Sequence, residues 1–145
     1  MSTKAELQAL LERVKAATGP DREIDRLIGE TLSAEYQPRN VYRRGHYIGN
    51  RPVLLRVARD YPRYTASLDA ITALIERELP GWAWFVQKID VAGNASSADL
   101  WIPAQRTQGL RVERCYEQAA TPPLALTAAF LSAMIAQMED EHAEA

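Results

Sequence analysis

From Leu124 to Ala136 the chain reads Leu-Ala-Leu-Thr-Ala-Ala-Phe-Leu-Ser-Ala-Met-Ile-Ala, a helical stretch with almost no polar face. A surface helix carries one apolar stripe, whereas a helix apolar nearly all round has to be covered on more than one side. This segment therefore demands a sheet beneath it and another helix on its flank. Thr121-Pro122 opens it, an N-cap followed by a proline at the first helical position, where a missing N–H is no loss.

The remainder of the chain supplies those covers. Leu7, Leu10, Leu11 and Val14 form one helical stripe over residues 4–17, with Lys4, Glu6, Glu12, Arg13 and Lys15 on the wet side. Thr18-Gly19-Pro20 stops that helix, and a second opens at Pro20 or Asp21, with Ile24, Leu27, Ile28 and Leu32 as its stripe. The short break predicts a helical hairpin. A third helix, capped by Thr65 or Ser67, runs Leu68, Ile71, Leu74, Ile75 and Leu79 down one face and ends at Pro80-Gly81. Three strand candidates follow: 82–89, 98–102 after the turn-forming run 92–97, and 110–116. Consecutive strands with short turns make an antiparallel meander.

The expected fold is thus α+β in α-α-α-β-β-β-α order: an antiparallel sheet of three strands, or four with residues 53–57, covered by helices in two or three layers. A length of 145 residues fits one domain. Its parts are a helical hairpin (1–35), an irregular segment (36–64), an α-β-β-β-α core (65–138) and an acidic tail (139–145) expected to fray. A single cysteine, Cys115, excludes an internal disulfide and fits a reducing compartment. No apolar run reaches the roughly 18–20 residues of a membrane helix, and the N-terminus has no leader-like apolar core, so the expected location is the cytoplasm.

Three blocks carry a family resemblance: Leu11-Glu-Arg-Val-Lys-Ala-Ala-Thr-Gly-Pro-Asp-Arg-Glu-Ile-Asp, Tyr64-Thr-Ala-Ser-Leu-Asp-Ala and Ala120-Thr-Pro-Pro-Leu-Ala-Leu-Thr-Ala-Ala-Phe, with Pro80-Gly81-Trp82 between the last two. In this order they resemble the phage ABA sandwich domain, a family of small proteins of tailed phages and prophages. The resemblance covers most of 6–33 and 61–137 and leaves 36–60 unmatched. It implies helices packed on both sides of a sheet and a phage or prophage origin. It brings no activity and no site residues.

The usual carriers of chemistry read as structure. His46 and His142 are far apart and lack the convergent partners a base or metal needs. Cys115 reads as a half-buried structural thiol, because Arg114 beside it faces the other side of a strand. Gly45-His-Tyr-Ile-Gly49 has no following Gly-Lys-Ser/Thr, so a plain turn is the expectation. The pairs Asp21/Asp25 and Asp69/Glu76 lie on amphipathic helices beside arginines, and ion pairs on a solvated face account for them. Trp82, Trp84 and Trp101 at strand spacing read as core or sheet-edge packing. No cofactor and no enzyme activity are expected. Helix three through the last helix also follow the α-β-β-β-α order of a double-stranded-RNA-binding domain. The final helix here starts without lysine or arginine, so that likeness is one of fold alone.

One stretch resists such readings. Arg39, Arg43, Arg44, Arg51, Arg56, Arg59 and Arg63 face a single acid, Asp60, between Gln37 and Tyr64. Seven against one leaves the stretch at +6 in a chain whose total is −2, so the rest carries about −8. Tyr42, Tyr47, Tyr61 and Tyr64 are interleaved. Guanidinium groups grip phosphates and tyrosines stack on bases, while the same two residue types dominate protein hot spots. Three uses stay open: a protein partner such as a host factor, nucleic acid, or the acidic first two helices of this domain or of a second subunit. The leading expectation is a non-catalytic phage accessory protein that binds protein through Arg39, Tyr42, Arg43, Arg44, Tyr47, Arg51, Arg56, Arg59 and Arg63. A nucleic-acid-binding accessory protein is the alternative.

Overall fold

The computed structural model describes residues 3–32, 39–57, 61–91, 94–103 and 114–143. Its helices are α1 (Lys4–Ala16), α2 (Arg22–Leu32), α3 (Leu68–Glu78) and α4 (Pro122–Ala143). Its strands are β1 (Arg39–Ile48), β2 (Arg51–Val57), β3 (Ala83–Val91), β4 (Asn94–Trp101) and β5 (Arg114–Ala119). They form two antiparallel sheets, the ribbon β1-β2 and the meander β3-β4-β5. The class is α+β, with α1 and α4 packed on the meander.

The local starts follow from chemistry. Thr3 and Glu6 form a reciprocal capping box on α1, and Ser67 Oγ accepts the Ala70 N–H at the head of α3. At α2, Asp21 Oδ1 accepts the N–H groups of Glu23 and Ile24 at 2.9 and 3.2 Å.

The all-apolar segment sits where its composition requires. α4 contacts α1, α3 and all three meander strands. Phe130, Leu124, Leu126 and Leu131 are fully buried, and Ala125, Ala128, Ala129 and Ala133 let neighbours approach closely. Leu7 and Val14 of α1, Ile24 and Ile28 of α2, Ile71 and Ile75 of α3, and Leu100 of β4 complete one core. On the meander, Ala98, Leu100, Cys115 and Ala119 face these helices. Phe85, Gln87, Tyr116 and Gln118 on the opposite face are exposed.

Several boundaries need correction. Residues 53–57 do not extend the meander, since they pair with β1 instead. The segment read as irregular from 36 to 64 contains two strands. β4 begins at Asn94, inside the run read as a turn, because Ser96 and Ser97 pair with both neighbouring strands. β5 runs Arg114–Ala119, and the earlier part of the expected strand, 110–113, lies outside the described residues. The tail expected to fray continues as helix to Ala143, with Lys4 of α1 bridging to Glu139 at 2.6 Å.

Candidate binding arm

β1 and β2 contact each other and, among the described residues, no other element. Gly49-Asn50 closes the ribbon between Ile48 and Arg51. Gly49 has φ +62°, a left-handed conformation that suits the twist of a two-residue hairpin turn and favours glycine. The ladder pairs Arg39 with Val57, Asn40 with Arg56, Val41 with Leu55 and Tyr42 with Leu54, then resumes at Tyr47 with Pro52. Arg43-Arg44-Gly45-His46 thus stand opposite Val53 alone. This is a wide bulge, eased by Gly45 at φ +90° and by a proline that has no ladder N–H to donate. Bulges re-aim side chains, and here the bulge turns two arginines and a histidine into solvent.

β2 has seven residues at about 3.3 Å each, so the arm reaches roughly 20 Å. Both of its faces are wet. Ile48 is 77% exposed, Tyr42 66% and Tyr47 57%. Arg43, Arg44, His46 and Arg51 are exposed, and none has an ion-pair or hydrogen-bond partner among the described residues. Arg39 and Arg56 take positions in the ladder as the first residue of β1 and the sixth of β2. Arg63 lies apart from the arm, exposed just before α3, where its carbonyl accepts from the N–H groups of Ala66 and Ser67. Arg59 lies outside the described residues. The arm therefore unites Arg39, Tyr42, Arg43, Arg44, Tyr47, Arg51 and Arg56, and leaves Arg63 on the body.

The root of the arm is held firmly. Asp25 is 1% exposed, not on a solvated face as its helical spacing suggests. Its Oδ1 accepts both the N–H and the hydroxyl of Thr65 at 2.8 Å, and Arg22 donates to Oδ2 at 3.0 Å. Thr65 Oγ1 in turn accepts the Asp21 N–H at 2.9 Å. Arg22 also donates to the Tyr61 carbonyl at 3.0 Å, and the Tyr61 hydroxyl donates to Glu30 at 2.8 Å. The chain leaving the ribbon is thereby pinned along α2, the helix that precedes it. The Asp25–Thr65 partnership spans forty residues, and no local pattern announces it.

Charge at the root is paired. Arg26 bonds to Glu23 and reaches Glu30 at 2.6 Å. Its hydrogen bond holds the Glu23 carboxyl below the usual range. Burial, then the hydrogen bond to Glu30, pushes the Tyr61 phenol above its ordinary value. On the open face of the meander, Arg114 grips Asp99 with two bonds of 2.8 and 3.0 Å, which raises the arginine's pKa.

The other candidates fall into place around this. Cys115 is buried on the helix-facing side of β5, and Trp82 packs against the core. Trp84 is exposed on the edge strand, and Asp69 and Glu76 stand exposed on α3. Among the described residues no group of three or more His, Cys, Asp or Glu side chains is placed to hold a metal ion. No described helix is long and apolar enough to cross a membrane. No family model matches the chain, and neither do any curated protein or solved structure.

Proposed function

We propose that this chain is a non-catalytic binding protein whose working part is the β1-β2 arm, and that its partner is a protein. One observation carries the reading: a ribbon with Ile48, Tyr42 and Tyr47 in the open, beside exposed Arg43, Arg44 and Arg51, packs among the described residues against no part of the body. A lone two-stranded hairpin is marginal in water, and large apolar residues on both of its faces give it a reason to be covered. Tyr and Arg beside aliphatic side chains are the residue types that anchor protein interfaces. The phage or prophage accessory role and the cytoplasmic location belong to the same proposal. They rest on the resemblance of the blocks at 11–25, 64–70 and 120–130 and on the single cysteine.

The test is affinity capture from a bacterial lysate with wild type beside the variant Tyr42→Ala/Tyr47→Ala. A partner that survives washing with wild type and is lost with the variant supports the reading. Partners retained equally by both would remove the arm from the interaction.

Nucleic acid is the second reading, favoured by a specific geometry. The major groove of DNA admits a two-stranded ribbon, and this one carries five arginines and no acid. Binding of that kind weakens steeply as salt rises, and Arg43→Ala/Arg44→Ala should flatten the salt slope by about two. No gel shift with DNA or RNA at low salt would dispose of it.

A further inference from the structure

We infer that the arm's partner is a second copy of this chain, docked arm to body. The inference rests on the protein-binding reading above and gives that partner an identity. Residues 39–57 carry Arg39, Arg43, Arg44, Arg51 and Arg56 and no Asp or Glu, a charge of +5. The total is −2, so the other 126 residues carry −7. Each molecule thus holds both halves of a complementary pair.

Among the described residues a molecule's own arm touches none of its helices or the meander, and the chain after the ribbon is clamped to α2 through Asp25, Thr65, Arg22 and Tyr61. The clamp fixes the chain from Tyr61 to Thr65 against α2.

Charge also chooses the mode of contact. Arm against arm would set +5 against +5, whereas arm against body sets +5 against −7. The body's acid is densest at the end of α4, where Glu139, Asp140 and Glu141 follow one another. That helix terminus is already electronegative from its backbone dipole, so like charge there raises its demand for cations. In the described structure Lys4 reaches Glu139 at 2.6 Å. The arginines of a neighbour's arm complement the charge of this acidic run. Reciprocal exchange of arms across a two-fold axis closes the assembly, because each arm then finds a body and each body an arm.

The experiment combines mass and position. Purified protein is weighed by light scattering at low and high salt, beside Arg43→Glu/Arg44→Glu. A photo-crosslinking residue is also placed at Ile48 in a mixture of light and heavy isotope-labelled chains. Wild type should form a dimer or larger assembly that loosens with salt, and the charge reversal should weaken it by about tenfold or more. Crosslinks should join position 48 of one copy to a peptide from α1–α4 or the meander of another. A monomer at all concentrations, an oligomer indifferent to the charge reversal, or crosslinks between two positions 48 would overturn the inference. The binding reading survives separately if a monomeric protein still loses a foreign partner with Tyr42→Ala/Tyr47→Ala.

Discussion

Removing the Asp25 carboxylate tests how the arm is fastened to the body. Asp25 accepts three hydrogen bonds, and two of the donors belong to Thr65, which is fully buried. In Asp25→Ala the Thr65 N–H has no other acceptor among the described residues, and an orphaned buried donor costs about 1–3 kcal/mol. The Thr65 hydroxyl recovers part of its loss by turning to the Asp21 carbonyl, 3.2 Å away. The Arg22 side chain is nearly half exposed, so water re-solvates it and its ion pair adds little. The sum is about 3 kcal/mol. With a urea m-value of about 2 kcal/mol/M, the unfolding midpoint should fall by about 1.5 M. Asp25→Asn keeps an oxygen toward Thr65 and should cost only about 1 kcal/mol. Urea titration followed by far-UV circular dichroism measures both. A loss below about 1 kcal/mol for Asp25→Ala, or equal losses for the two variants, would show that this carboxylate does not hold the root.

Other outcomes follow from the same structure. Phe130→Ala empties the centre of α4 and should cost about 3–5 kcal/mol in the same urea assay. Replacing residues 41–55 by a two-residue Gly-Asn link, which joins the paired positions Asn40 and Arg56, should leave the melting temperature within about 3 °C, because among the described residues the arm touches no other element. Tyr61 has its folded pKa raised above its unfolded value of about 10, so its neutral form stabilises the fold below that pH, and the contribution is lost as pH climbs through the folded value. Stability should accordingly fall in strongly alkaline buffer, and Tyr61→Phe should remove that step in a urea-midpoint series against pH. Gly49→Val forces a β-branched residue to φ +62° and should speed amide exchange in 39–57 without shifting exchange in α4.

Much of the body was legible because its signals are local. The stripe Leu68, Ile71, Leu74, Ile75 with Ser67 ahead of it marks α3, and Thr121-Pro122 marks the start of α4. The two-sided demand of the Leu124–Ala136 stretch gave the layering, since helix and sheet both press on it. The ribbon was harder. Val53–Val57 reads as a strand, but Arg43-Arg44-Gly45-His46 breaks the alternation of β1, and its bulge hides a strand that Gly49-Asn50 would otherwise signal. The arginine cluster was visible as composition, but its division between arm and body was not, because Arg63 lies between Tyr61 and Thr65, which bond to α2. Asp25 was misread for a related reason. Helical spacing places it near arginines, while Thr65, forty residues on, decides that it is buried.

The position of α4 in the order of elements has a consequence for synthesis. Every other helix except α2, and all three meander strands, lean on α4, and α4 follows them all. As the chain leaves the ribosome, α1, α3 and the inner side of the meander lack the helix they all share until residues 122–136 emerge. Stable folding of this domain therefore waits for those residues, and a ribosome stalled before Thr121 would hold out a greasy, unfinished sheet, an obvious client for chaperones.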